Sequence, residues 1–184
     1  MKGMVFTEFI EMVEEVFSAD MADDIIEDAD LPSGGAYTAI GTYDHGEMVS
    51  LVGQLSQRTG VPVPDLLRAF GRHLFGRFSI LYPEMFQDIH SVFDFLKKIE
   101  SYIHVEVRKL YPDAQLPSFD HQEQDDRFEL HYRSQRPFAD LAEGLILGCI
   151  AHFDGQLVVN RHDISSPPGT EARFVVTHLV SSGS

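Results

Sequence analysis

A chain of 184 residues, 43% hydrophobic and 23% charged, can bury a substantial core as one domain or two closely packed subdomains. Its formal net charge of -15 argues against non-specific binding to nucleic acid or an anionic membrane, whose phosphates would be repelled over most of the surface. One cysteine, Cys149, excludes an internal disulfide and any multi-cysteine zinc or iron-sulfur site. No stretch reaches the roughly 18 apolar residues of a membrane span, and Thr7, Glu8 and Glu11 interrupt the N-terminus before signal-peptide length. The expected setting is the cytoplasm, without membrane or nucleic-acid partners. Ser181 to Ser184 form a short polar tail.

The first element is a helix from Phe6 to Phe17, with Phe6, Phe9, Ile10, Val13, Val16 and Phe17 at helical spacing. An acidic segment from about Ala19 to Ala29 ends in the breakers Leu31-Pro32-Ser33-Gly34-Gly35. Tyr37 to Tyr43 is ambiguous. Residues 46–59 and 63–78 predict two more helices in bundle style, separated by Gly60-Val61-Pro62. Ser91 can cap a long helix running to about Tyr111, with Val92, Leu96, Ile99, Ile103, Val107 and Leu110 on one stripe. Beyond Pro112 the period changes. Leu116 to Glu123 and Arg127 to Arg136 read as a strand pair, Pro137 opens a helix to about Phe153, and Gln156–Ile164 with Glu171–Val180 read as a second hairpin. The expectation is an α+β fold: a helical N-terminal subdomain to residue 112, then an antiparallel four-stranded sheet with one covering helix over 113–184.

Gly-rich phosphate loops, nucleophile elbows and zinc-protease helices are missing from the sequence, and no two of its nine histidines stand four residues apart. Two features stand out. If Tyr132-Arg133-Ser134-Gln135-Arg136 is extended, Tyr132, Ser134 and Arg136 share a face. Two hydroxyls and a guanidinium with no interleaved carboxylate make an anion clamp for carboxylate or phosphate. On spacing alone the run is equally readable as an exposed strand face. His104 is the second feature, set about 100° from the centre of the long helix's apolar stripe at 3.6 residues per turn. Its face also carries Phe93, Lys97, Glu100, Arg108 and Tyr111, which suits either a half-exposed histidine or a metal ligand bordering a cofactor pocket.

Taken together, His104, Pro117 and the Tyr132/Ser134/Arg136 triad resemble the heme nitric oxide/oxygen-binding (H-NOX) family, the domains of bacterial gas sensors and of soluble guanylate cyclase. The resemblance extends over Met1-Lys2-Gly3, Gly34-Gly35-Ala36-Tyr37, Gly41-Thr42-Tyr43, Ala69-Phe70-Gly71 and Leu141 to Gly148, so it spans essentially the whole chain. It implies heme b (iron protoporphyrin IX) buried between the two subdomains, with His104 as the proximal iron ligand. Tyr132, Ser134 and Arg136 would hold the heme propionates, and Pro117 would pack on the porphyrin. The implied distal pocket is Val5, Phe9, Leu74, Phe78, Leu141 and Leu145, all apolar. Val5, Phe9, Leu74 and Phe78 also lie on helical stripes and would be core in any bundle.

Relatives that bind oxygen stably carry a distal tyrosine where this chain has Leu141. A distal donor favours polarised, iron-bound oxygen, whereas nitric oxide binds without one. The resemblance therefore implies a non-enzymatic nitric oxide sensor in which gas binding weakens the iron bond to His104. Its output would pass to a separate signalling protein, a histidine kinase or a cyclic-di-GMP enzyme. An oxygen or redox sensor using Tyr37, Tyr43 or Tyr82 is the alternative. A further reading from the residues alone is an enzyme with His104 as general base and an anionic substrate on the triad.

Overall fold

Helix α1 runs from Gly3 to Val16 in the computed structural model, which describes residues 1–153 and 155–179. Asp154, Val180 and the Ser181–Ser184 tail lie outside them. The helix starts a turn earlier than Phe6 because the chain's first residues are stitched to the 38–43 segment. Gly3 N–H donates to Gly41 O at 2.8 Å and Tyr43 N–H to Met1 O at 2.9 Å. A Cβ on Gly3 would sit 1.8 Å from Thr38 O, so only glycine permits this approach. The ambiguous Tyr37–Tyr43 run is thus irregular, held by tertiary contacts and one Lys2–Thr42 bridge.

Helices α2 (Ala19–Asp28), α3 (His45–Thr59) and α4 (Val63–Leu81) follow. Ser18 caps α2 by accepting Met21 N–H at 3.0 Å, and Gly60 ends α3 at a left-handed φ of 74°. Pro64 fits the first turn of α4, where its missing N–H costs nothing. Phe6, Phe9, Met48, Leu51, Leu55 and Phe70 are fully buried among these helices.

The helix expected from Ser91 to Tyr111 is broken into three parts. These are α5 (Val92–Lys98), a π-helical turn (Ile99–Ile103) and α6 (His104–Leu110). At the turn His104 N–H bonds Ile99 O, five residues back. One extra residue rotates everything after it by about 100° relative to a continuous α-helix. His104 therefore takes the direction that the regular period gives Ile103. It is buried (7% exposed), while Leu110, expected on the buried stripe, is 49% exposed.

Strands β1 (Ser118–Gln124), β2 (Arg127–Arg133), β3 (Leu157–Asp163) and β4 (Glu171–His178) form one antiparallel sheet ordered β1-β2-β4-β3. Along β2 the alternation is strict, with Phe128, Leu130 and Tyr132 buried and Arg127 and Arg133 exposed. Helix α7 (Ala139–His152) covers the inner face, starting two residues after Pro137. Its Ala139, Ile146 and Cys149 pack with Phe128, Leu130 and Phe174 of the sheet in a second core, joined by Val92 and Leu96 of α5. The apolar partition thus places α5 with the sheet rather than dividing the chain at residue 112.

Helices α4 and α7 cross at backbone contact. A Cβ on Gly71 would lie 2.4 Å from Leu141 O, and one on Gly144 2.3 Å from Arg68 O. This crossing hinges the two cores together and sets the space between them.

Candidate functional site

A cavity of about 770 Å³ opens between the two cores. That volume lies in the upper part of the roughly 300–1,000 Å³ range of small-molecule pockets. His104 of α6 borders it, as do Pro117, Tyr132, Ser134 and Arg136. Val5 of α1, Leu74 and Phe78 of α4, and Leu141 and Leu145 of α7 supply apolar lining from other elements. Phe9 is not on the lining. It is fully buried in the helical core, with its ring edge-on to Phe70 at 5.2 Å.

The triad converges, but not by the pleat of a strand. Strand β2 ends at Arg133, and Ser134 to Arg136 turn away as a loop. Ser134 Oγ accepts Arg136 N–H at 3.1 Å, a local serine turn that a strand reading does not foresee. Tyr132 alone keeps its inward strand position, 2% exposed, between the Phe119 and Phe174 rings. Its hydroxyl approaches Arg136 O at 3.5 Å. Burial pushes the Tyr132 pKa up, which keeps the group a phenol able to donate. The Arg136 guanidinium is steadied by Gln115, bonding its backbone O at 3.2 Å and Oε1 at 3.1 Å.

His104 is the buried polar group of the helical wall. Its Nδ1 lies 3.2 Å from Glu100 Oε1, yet off the line of a full hydrogen bond, so this buried nitrogen is incompletely satisfied. Burial lowers the imidazole pKa and Glu100 pulls the other way. The net downward shift favours the neutral ring, the form that ligates metals. Among the described residues no cluster of three His, Cys, Asp or Glu could hold a metal by itself.

The sequence reading passed over Gln115 and gave Glu100 no role beyond a place on the His104 face, whereas Tyr82 was a candidate donor. Tyr82 borders the cavity, and its hydroxyl is 3.0 Å from that of Tyr111. Tyr37 and Tyr43 have other commitments. The Tyr37 hydroxyl donates to Glu47 Oε2 at 2.8 Å, and that of Tyr43 accepts Thr38 N–H at 2.9 Å and donates to Ala36 O at 3.3 Å.

A family model described as Haem-NO-binding matches residues 2–161. The chain belongs to this H-NOX family. Its domains bind heme and serve as gas sensors, consistent with one amphipathic cofactor in this cavity. The H-NOX protein from K. algicida, with unliganded Fe(II), is 36% identical, with 100% of both chains covered and a TM-score of 0.92. The IWP-051-bound H-NOX from Shewanella woodyi, in the Fe(II)CO state, is 40% identical over 100% of this chain and 97% of that one, with a TM-score of 0.83. An H-NOX protein from S. oneidensis in the Fe(II)NO state is 25% identical over 96% and 98%, with a TM-score of 0.88. No curated protein matches the chain. No helix among the described residues is long and apolar enough to cross a membrane.

The residues of this H-NOX cavity fit heme chemically. A buried, neutral-leaning imidazole on the cavity lining suits iron, a long apolar lining suits a porphyrin, and the Ser134/Arg136 loop offers donors for propionates. Charge-assisted bonds to a carboxylate contribute about 1.5–3 kcal/mol when well shielded. Arg136 is only half-buried, so the lower figure applies and Arg136→Ala should speed heme loss about tenfold. Transfer of heme to excess apomyoglobin measures this rate, and the iron-ligand absorption bands should stay in place.

Proposed function

We propose that this H-NOX domain is a heme b sensor of nitric oxide that regulates a separate signalling protein. The observation that carries the proposal is the apolar wall of Val5, Leu74, Phe78, Leu141 and Leu145. When bound, heme would supply a ferrous iron that takes a diatomic gas. His104 would hold that iron through Nε2, since Nδ1 lies beside Glu100. The wall of Leu141 and its neighbours offers no hydrogen bond to a polarised gas, which selects for nitric oxide over oxygen.

Were His104 to leave iron, α6 would be free to move. Movement of α6 reaches the N-terminal helices through Asp113, which accepts from Lys2 at 3.0 Å and from Thr42 at 2.8 Å. A ligand that favours one of two such arrangements shifts their populations by its differential affinity. The partner we favour is a histidine kinase or a cyclic-di-GMP enzyme, steered through a basic patch by this domain's net charge of -15. The site works as a sensor, with His104 committed to iron rather than to proton transfer.

Visible spectra of the ferrous protein test the reading. A five-coordinate heme that stays unchanged in air and shifts with nitric oxide is expected. A stable oxygen-bound spectrum in air would favour the oxygen-sensing alternative, with Tyr43 and Tyr82 the candidate tyrosines that border the cavity. Colourless protein after expression with ample heme would sink both sensor readings and return the enzymatic one.

A further inference from the structure

Glu100 stands at the junction of the π-helical turn, the sheet and the iron-ligand histidine. It lies within the turn, its Oε1 accepts the N–H of Phe119 on β1 at 2.8 Å, and the same oxygen is 3.2 Å from His104 Nδ1. The His104 side chain is 9% exposed and Glu100's is 37% exposed. A carboxylate anchored by backbone thereby stands beside Nδ1 of the imidazole, within reach of a hydrogen bond once the ring turns to meet it, which leaves Nε2 as the nitrogen for iron. We propose that Glu100 is the positioning residue that fixes His104 as its Nδ1–H tautomer and sets the strength of the bond between His104 and iron.

This inference rests on His104 being the iron ligand. A carboxylate accepting from the second ring nitrogen raises the basicity of the first and orients the ring. A more basic Nε2 would grip iron harder, stabilise the ferric state and resist release on gas binding. Glu100 thus opposes the step that frees α6 and so sets the sensor's threshold. Anchoring through Phe119 also means that a shift of the sheet against the π-helical turn changes this grip.

Loss of such outer-shell partners lowers metal affinity about 10–100-fold. In Glu100→Ala the share of nitric-oxide-bound protein that has released His104, relative to the share that keeps it, should rise about tenfold. The ferrous iron–histidine stretching frequency should fall, and the midpoint potential should become more positive. Glu100→Gln keeps an oxygen for Phe119 and a neutral acceptor for His104, so it should fall between wild type and alanine. Glu106→Ala, which removes a partner of Lys109 on α6, should leave all three unchanged.

Resonance Raman and redox titration of the holoproteins decide the matter. If wild type shows the iron–histidine stretch and both Glu100 variants keep its frequency, the inference falls while the sensor reading stands. If wild type shows no such stretch, the iron-ligand assignment itself fails. Should Glu100→Ala unfold, an unshifted frequency in Glu100→Gln overturns the proposal on its own.

Discussion

His104→Ala should abolish the five-coordinate ferrous spectrum and the iron–histidine stretch while leaving most of the fold and part of the heme in place. His104 is the buried histidine on the cavity lining. On the proposed assignment its removal would take away the bond to iron but leave the apolar walls and the Tyr132/Ser134/Arg136 end to hold the cofactor. Truncation to alanine also leaves a void against the Phe119 ring, which lies 5.8 Å from the imidazole. Added imidazole can enter this void and should restore the five-coordinate spectrum. The rescued protein should not restore signalling, because free imidazole binds iron without pulling on α6. Retention of the native ferrous spectrum in His104→Ala would refute the iron-ligand assignment. Circular dichroism checks that the variant is folded.

Most elements were legible because each helix or strand buries one face and so carries its own period. The stripe of α1 and the alternation of β2 are of that kind. Where the sequence reading departed from the structure, the cause lies between elements rather than within one. The π-helical turn leaves the residue types of a helix unchanged but shifts their phase, so His104 read as sitting beside the stripe when it is on the buried side. The triad read as a flat strand face because Tyr132, Ser134 and Arg136 keep the right spacing. The chain instead bends at Ser134, and the three groups meet through a turn. Phe9 has helical spacing compatible with both core and pocket, and only the placement of Phe70 decides for the core. Glu100 and Gln115 carried no signal at all, since an exposed-looking Glu or Gln on a mixed face is ordinary. Their roles come from Phe119 and Arg136, 19 and 21 residues away.

On the proposed nitric oxide reading, Leu141→Tyr should make the domain bind oxygen stably. Leu141 lies on α7 at the cavity, 8% exposed, in a wall otherwise made of Val5, Leu74, Phe78 and Leu145. Tyrosine there extends further than leucine and would carry a hydroxyl into the cavity. Iron-bound oxygen draws negative charge onto itself, and a hydrogen bond to such a charged acceptor contributes about 1.5–3 kcal/mol. Oxygen affinity should therefore rise about tenfold to a hundredfold, enough to read as a stable spectrum in air. Nitric oxide gains little from the same donor, so its affinity should move much less, and the ratio between the gases is the diagnostic quantity. Leu141→Phe adds similar bulk without the hydroxyl and should leave oxygen unbound. If phenylalanine and tyrosine behave alike, gas choice does not depend on a donor at this wall. Tyr82 is then the next group to remove, because its hydroxyl, paired with Tyr111 at 3.0 Å, belongs to a tyrosine that borders the cavity.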